Sequence, residues 1–495
     1  MLNPSHTALG NCKKRAVVDI GSNSVRLVVY DGPARAPLAI CNEKALCGLG
    51  RNMTPDGRLD PEAVELALTT LKRFREVLRQ HGEPETFAIA TAAVRAAADG
   101  EAFVEAVRDI GFEVTVISGA EEALLAAYGV VSFEPGATGL AGDMGGGSLE
   151  LIRLVNGDLQ ESDSLPIGPL SIMRKVAESN KSQTQLIAKA LDAVPFANDR
   201  TIDKLYVVGG AWRAIARIHM SQRNYPLAVL HHYEMPSAHA LGICQLIAQQ
   251  SPGSLASIPG IPRRRIDTLP IAAAVLESII HRTKTKKVVV SAGGVREGLL
   301  YRALHEAERD NDPLLEAAYF FASKFSPDAA DQTAYEFLEP LFKNAKWGTP
   351  RVREATAALI DIAAYFHPAP RGLQAFQMAL RSPFAGIRHE ERVWIALALY
   401  HRHEGRSLPV NEPVLDLLNE DALESAIQYG LALRFVAALS PKAPTALKGC
   451  RLELDDGRLV FSAPGEKEAF MGETPRRRFE GLANALNVRA VEISA

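Results

Sequence analysis

The sequence predicts an α/β fold made of two related halves, followed by a helical region and a small terminal α/β unit. Three observations point there. Through the first part of the chain, short apolar runs of strand type alternate with segments of helical periodicity. A strand ending in a glycine turn occurs twice: Asp19, Gly21, Ser24 and Leu27 match Asp143, Gly145, Ser148 and Leu151, each pair 124 residues apart. Beyond about residue 305 helical periodicity dominates. A chain of 495 residues suits about three domains, so a single small module is excluded.

The elements follow in order. Arg15 to Tyr30 holds two apolar runs separated by Asp19-Ile20-Gly21-Ser22-Asn23-Ser24, a turn between two strands. Asp60 as N-cap, Pro61 at the first helical position, Val64, Leu68, Leu71 and Leu78 on one face, and Gly82 past the end define a helix. Thr86 to Thr91 reads as a buried strand, Glu101 to Ile110 as a helix stopped by Gly111, and Phe112 to Ile117 as another strand. A second pass starts near Thr138, with a strand from Gly139 to Met144, the turn Gly145-Gly146-Gly147-Ser148, and an apolar run to Val155. Two further strands run into glycines, Tyr206 to Gly210 and Val288 to Gly294. Helices are predicted over Pro313 to Phe325, Ala334 to Phe342, Val352 to Phe366 and Arg392 to Tyr400. Near the end, Arg451 to Leu454 and Arg458 to Phe461 flank Asp455-Asp456-Gly457, a hairpin with a D-G turn; a helix around Arg477 to Leu486 and a last strand complete that unit.

Composition narrows the function classes. Lys and Arg total 55 against 58 Asp and Glu, a net charge of −3, which excludes a protein whose main business is coating nucleic acid. With 47% hydrophobic and 23% charged residues the chain is neither disordered nor fibrous. Its five cysteines are odd in number, scattered and without a C-x-x-C pair, against both disulfides and zinc. No apolar stretch reaches the roughly 18 to 20 residues of a membrane span, and the first residues lack the apolar core of a signal peptide. The expectation is a cytoplasmic protein with no membrane or nucleic-acid partner.

The paired turns carry the chemistry. Glycine lets a backbone approach anionic oxygens and present amide N–H groups to them, and Ser22, Ser24 and Ser148 add hydroxyl donors. An Asp at each strand end suits a hydrated magnesium ion that bridges to phosphate. One such turn alone is an ordinary hairpin connection; the matched pair is poorly explained that way.

Five segments then carry a resemblance. Val18-Asp19-Ile20-Gly21-Ser22-Asn23-Ser24, Thr91-Ala92-Ala93-Val94-Arg95, Ser118-Gly119-Ala120-Glu121-Glu122-Ala123, Asp143-Met144-Gly145-Gly146-Gly147-Ser148-Leu149-Glu150 and Gly209-Gly210-Ala211-Trp212-Arg213 resemble, in order, the motifs of the exopolyphosphatase and guanosine pentaphosphate phosphatase family, within the actin, heat-shock ATPase and sugar kinase superfamily. The resemblance implies two duplicated ribonuclease H-like (actin-like) domains around a cleft, 1–132 and 133–305. A degenerate HD-like helical domain, 306–435, and a small α/β unit, 436–495, follow. It implies a magnesium-dependent hydrolase, acting as a homodimer, that releases terminal phosphate from inorganic polyphosphate. Guanosine penta- or tetraphosphate is the alternative partner; an ATP-dependent kinase or a polyphosphate sensor without turnover belongs to other classes.

The resemblance assigns roles to this chain's residues. Glu121 orients or deprotonates the attacking water, although Ser118-x-x-Glu121 is equally a capping-box pattern. Arg95 braces a phosphoryl oxygen, unless it is a surface arginine opening a helix. Asp19, Gly21, Ser22, Asn23, Ser24, Gly145, Gly146, Gly147, Ser148, Gly209 and Gly210 cradle phosphate, and Asp143 and Glu150 hold magnesium. Trp212-Arg213 is expected to crowd an adenosine pocket, a point against the kinase. In the helical region Leu359-Ile360-Asp361-Ile362 resembles a His-Asp metal signature with Ile360 at the histidine position, so binding rather than catalysis is expected there; His401 and His403 are weaker ligand candidates. Basic clusters at Arg263-Arg264-Arg265, Lys284 with Lys286 and Lys287, Arg351 with Arg353, and Arg476-Arg477-Arg478 are candidates for lining a polyanion channel.

Overall fold

The computed structural model describes residues 12–494 apart from 52, 55, 180, 259–260, 262, 327–330 and 407–411; side chains at 264, 466, 468 and 492–494 also lie outside the description. The chain divides into two compact units, Lys13–Asp310 and Asn311–Ala495.

In the first unit, short aliphatic and β-branched runs build two mixed sheets. One contains β1 (Arg15–Ile20), β2 (Val25–Asp31), β3 (Leu38–Ala45), β4 (Glu85–Ala90) and β5 (Val114–Val116), in the order β3-β2-β1-β4-β5. The other contains β6 (Gly139–Met144), β7 (Leu149–Val155), β8 (Asp158–Leu165), β9 (Lys204–Val208), β10 (Glu234–Pro236) and β11 (Lys287–Val290), in the order β10-β11-β9-β6-β7-β8. Reading the second sheet as β8-β7-β6-β9-β11 reproduces the first, antiparallel through its first three strands and parallel beyond, with β10 added at the edge. The sequence repeat is therefore matched by a repeat of topology.

Successive residues of a strand point to opposite faces, and both faces of each sheet are covered. Ala16, Val18 and Ile20 of β1 pack with Leu71, Phe74 and Leu78 of the Pro61–Gln80 helix, whereas Val17 faces Leu125, Leu299 and Leu300. Ala123, Ala126 and Val130 meet Ala141, Ile152, Tyr206 and Val208 of the second sheet. The helices Gly119–Phe133 and Val295–Arg302 are thus sandwiched between the two sheets. Their contact is very close: a Cβ on Gly298 would lie 1.8 Å from the Leu125 carbonyl oxygen, and one on Gly129 2.2 Å from that of Gly294. Only glycine permits this approach, which fixes where the N-terminal ends of both helices emerge.

The second unit is mainly helical and ends in a three-stranded sheet of β12 (Arg451–Asp455), β13 (Arg458–Ala463) and β14 (Arg489–Ser494). Asp456 and Gly457 both have positive φ, 46° and 72°, as a two-residue hairpin turn requires. The helix predicted over Val352 to Phe366 instead spans Pro350–Ala358 and tightens into a 3-10 turn at Leu359–Asp361. Periodicity continued past the break because Ile360 and Ile362 are also buried there. The Glu420–Leu439 helix is long and apolar enough to cross a membrane, contrary to the expectation from the sequence. Here Ala426, Tyr429, Leu433 and Val436 are buried.

Candidate active site

Both glycine turns fold alike. Gly21 N–H donates to Ser24 O and Gly145 N–H to Ser148 O, each at 3.0 Å. Neighbouring loops take up their carbonyls: Ser22 O and Asn23 O accept from Gly50 and Gly48, at 2.8 and 3.2 Å, and Gly146 O and Gly147 O from Leu170 and Gly168, at 2.9 and 3.3 Å. Among the described residues, the N–H groups of 22–24 and 146–148 find no protein acceptor. The turns lie against each other, since a Cβ on Gly147 would come within 3.2 Å of Ser22 Oγ and one on Gly146 within 3.6 Å of Asn23 Cβ. Two sets of unused amides therefore share one place, the arrangement that receives an anion.

That place is a cleft of about 190 Å³. Of the residues expected at the site it is lined by Asp19, Gly21, Ser22, Asn23 and Ser24 from the first turn, Asp143, Gly145, Gly146, Gly147, Ser148 and Glu150 from the second, and Gly209 and Gly210. Gly209 has φ 98°, and its Cβ would sit 2.4 Å from Met144 O, so the chain after β9 passes directly beneath the end of β6.

Glu121 is not among the lining residues. Its Oε2 accepts from Ser118 N–H at 2.9 Å and Ser118 Oγ at 3.0 Å, while Glu121 N–H donates back to Ser118 Oγ. This is a complete capping box at an exposed helix end, and hydrogen bonding from the Ser118 N–H and hydroxyl holds the carboxyl below its ordinary range. Its neighbour Glu122 is 7% exposed and lines the cleft. Burial, with Asp143 and Asp19 nearby, pushes its carboxyl up to about 7 against the pull of Arg95. Adjacent helical residues point about 100° apart, so the sandwiched helix delivers one glutamate to the cleft and the other to its own cap.

Arg95 also falls outside the lining. It donates to Ile117 O at 2.6 Å and to Glu122 Oε2 at 3.2 Å, so it holds the buried glutamate from behind. Glu150 is 1% exposed, bonded by Ser164 Oγ at 2.9 Å; burial and the charges of Glu122 and Asp143 push it well above the usual carboxylate range. Asp143, opposite Glu150 across the β6–β7 pair, is pushed up to about 6, chiefly by burial. Three carboxylates with raised values thus face one wall. The cations Arg26, Lys44, Arg213, Arg265 and Arg296 line the same cleft, and Arg296 pairs with Asp19 at 2.8 Å. Of these, only Arg265 belongs to a basic cluster singled out in the sequence.

Trp212 does not crowd the cleft. Its ring is fully buried under Gly142 and its Nε1–H donates to Ala272 O at 2.9 Å, leaving Arg213 as the residue of that pair at the site. Other basic residues serve packing: Lys286 and Lys287 pair with Asp203 and Glu234, Arg351 with Asp312, and buried Arg353 with Glu339. The Arg264 side chain lies outside the described residues. In the helical unit Asp361 pairs with Arg402 at 2.9 Å. His401 Nδ1 is bonded to Gly405 O, and burial with the Arg402 charge pushes His403 down to about 3. A guanidinium thus takes the place beside Asp361 that a metal would need.

Residues 28–307 match the Ppx/GppA phosphatase family, and residues 344–493 match the family described as Exopolyphosphatase, C-terminal. Exopolyphosphatase 2 of Mycobacterium tuberculosis is 27% identical over 312 residues, covering 57% of this chain and 96% of its own. Retrograde regulation protein 2 of Saccharomyces cerevisiae is 26% identical over 446 residues, 80% of this chain and 73% of its own. Among solved structures, an exopolyphosphatase from Cytophaga hutchinsonii aligns with a TM-score of 0.53 at 24% identity, covering 58% of this chain and 97% of that one. The Aquifex aeolicus member of the Ppx/GppA family aligns at 0.52 and 23%, covering 61% and 100%. These two likenesses concern the fold.

Proposed function

The chain belongs to the Ppx/GppA phosphatase family, and from that premise we propose that it is an exopolyphosphatase, releasing terminal orthophosphate from inorganic polyphosphate. The observation that carries this reading is the pairing of two amide-lined turns with the buried, charge-crowded carboxylate of Glu122. The amides of 22–24 and 146–148, with the Ser22, Ser24 and Ser148 hydroxyls, hold the terminal phosphates. Glu122, rather than Glu121, takes the proton of the attacking water. A carboxyl near 7 is a far better base at neutral pH than one in the ordinary range near 4.3. Water oxygen bonds to phosphorus as the bridging P–O bond breaks, and the shortened chain leaves with the electron pair. Arg95 keeps Glu122 in place and does not meet substrate.

Magnesium fits this wall as a largely hydrated ion. Among the described residues no three His, Cys, Asp or Glu side chains converge as a metal cage. Magnesium instead takes one or two carboxylates and completes its shell with water and phosphate oxygens, and the crowding of Glu122, Asp143 and Glu150 favours a cation there. Asp143 and Glu150 would hold it, and it would neutralise phosphate charge. The proposal includes the actin-like nature of the two halves with their boundary near 132, the further boundary near 435, a homodimeric assembly and a cytoplasmic setting.

A second substrate has its own support. A hollow of about 490 Å³ adjoins the cleft at Asn23, lined by Leu46, Leu66, Asp60, Glu62 and Asp267, with Arg51 as its cation. Apolar walls with carboxylates suit a guanine, whose ring and exocyclic N–H groups donate, so guanosine pentaphosphate is the alternative. Phosphate release from both compounds by the purified protein decides. A kcat/KM much higher for the nucleotide overturns the polymer reading, and no release from either leaves a binding protein.

A further inference from the structure

Five guanidiniums, those of Arg26, Arg95, Arg213, Arg265 and Arg296, stand in or beside the cleft, and four of them are occupied. Arg296 is in an ion pair with Asp19 at 2.8 Å, Arg26 donates from Nε to Asn42 Oδ1 at 2.8 Å, and Arg95 is spent on Glu122 and the Ile117 carbonyl. Arg213 differs. It lies in the first turn of the Gly210–Gln222 helix, directly after β9, and lines the cleft, yet among the described residues its guanidinium makes no hydrogen bond or ion pair. Its backbone is fixed by the neighbouring Trp212, fully buried and bonded to Ala272 O. A rigid turn therefore presents a cation that Asp143 and Glu297 attract, while among the described residues no carboxylate pairs with it at hydrogen-bond distance.

Its place is at the carboxylate wall. Of the charges acting on Asp143, the strongest attractive one is Arg213. Arg26, Arg213 and Arg296 repel one another, which a multivalent anion between them would relieve. Lys44 and Arg26 sit across from each other on β3 and β2, on the opposite sheet, and are placed to hold the chain rather than the reacting end.

We propose that Arg213 is a catalytic residue of this cleft, donating from its guanidinium to the non-bridging oxygens of the phosphoryl group under attack. The inference rests on the hydrolase reading above. Charge on those oxygens is redistributed as the bridging bond breaks, and a preorganised fork of N–H donors stabilises the transition state more than the ground state. No proton leaves Arg213; the water proton goes to Glu122.

The test is phosphate release from long-chain polyphosphate, and from guanosine pentaphosphate, by the full-length wild type, Arg213→Ala, Arg213→Gln and Arg213→Lys. The expected result is a kcat about 10²- to 10³-fold lower in Arg213→Ala, a KM changed less than about fivefold, partial recovery in Arg213→Lys, and partial rescue of Arg213→Ala by added methylguanidinium. A kcat within about threefold of wild type, or a loss confined to KM, overturns the proposal. If Arg213→Ala fails to give a wild-type melting curve, Arg213→Gln carries the same comparison. Wild-type protein that hydrolyses neither compound overturns the hydrolase reading and this inference together. Wild-type turnover with unaffected variants overturns this inference alone.

Discussion

The cleft unit and the helical unit both bury carboxylates, and they treat them differently. In the helical unit Asp361 meets one guanidinium, Arg402, at 2.9 Å, and the charge is answered locally. In the cleft Glu122 has Arg95, but Asp143 and Glu150 crowd the same wall, and all three carboxyls are pushed upward. A buried charge with one close partner is structure. Several buried like charges left facing a cavity cost stability, and persist where a ligand completes them. Within the cleft the two turns repeat this contrast: Asp19 lies opposite Arg26 and is paired with Arg296, whereas Asp143 lies opposite Glu150. The same turn geometry thus carries opposite charge patterns.

The contrast can be broken most severely at Glu122. Glu122→Gln is expected to lower kcat for polyphosphate by about 10²- to 10⁴-fold with the fold intact, measured by phosphate release and a melting curve. In the wild type, activity should rise with pH and level off above about 7, since the base acts only when ionised. Stability follows the opposite sign. A carboxyl raised above its ordinary range contributes stability fully at pH below that range and loses it as pH climbs through about 7. The fall in Tm between about pH 5 and pH 8 should therefore be smaller in Glu122→Gln than in wild type.

The helical unit offers the reverse experiment. Asp361→Ala strands a buried guanidinium and is expected to cost about 3–5 kcal/mol in denaturant unfolding, while kcat stays within about twofold. Replacing both partners, Asp361→Leu with Arg402→Met, should recover much of that loss. A fall in kcat at full stability would give Asp361 a role in the chemistry.

Metal dependence sharpens the difference between the turns. Chelation should abolish turnover and magnesium restore it, and Asp143→Asn should raise the magnesium concentration for half-maximal rate by about tenfold or more. The smallest effect belongs to Glu121. Glu121→Ala loses a cap, about 0.5–1 kcal/mol, and kcat should stay within about threefold. A loss as large as that of Glu122→Gln would reverse the two assignments.

The turns were legible because their residue types dictate their geometry: glycine where the backbone comes close, serine and asparagine where donors are needed, and the same spacing twice. The capping box at Ser118 was legible for the same reason, as a contact between residues three apart. The glutamate serving the cleft was not legible, because Glu121 and Glu122 are both plausible acids until the helix is set between two sheets. The sequence makes Arg213 look like an obstacle, with Trp212, because nothing in the chain order shows that Trp212 turns into the core.

The amino-acid sequence by itself determined the strands that flank the paired turns, the turns themselves, the repeat that makes two halves alike and the family to which they belong, since all of these rest on local spacing; the outer strands β3, β8 and β10 came only with the fold. Tertiary structure alone decided which charges are answered and which are left facing the cleft. That depends on residues as far apart as Asp19 and Arg296, or Glu122 and Glu150, whose proximity is set by how the helices pack between the sheets.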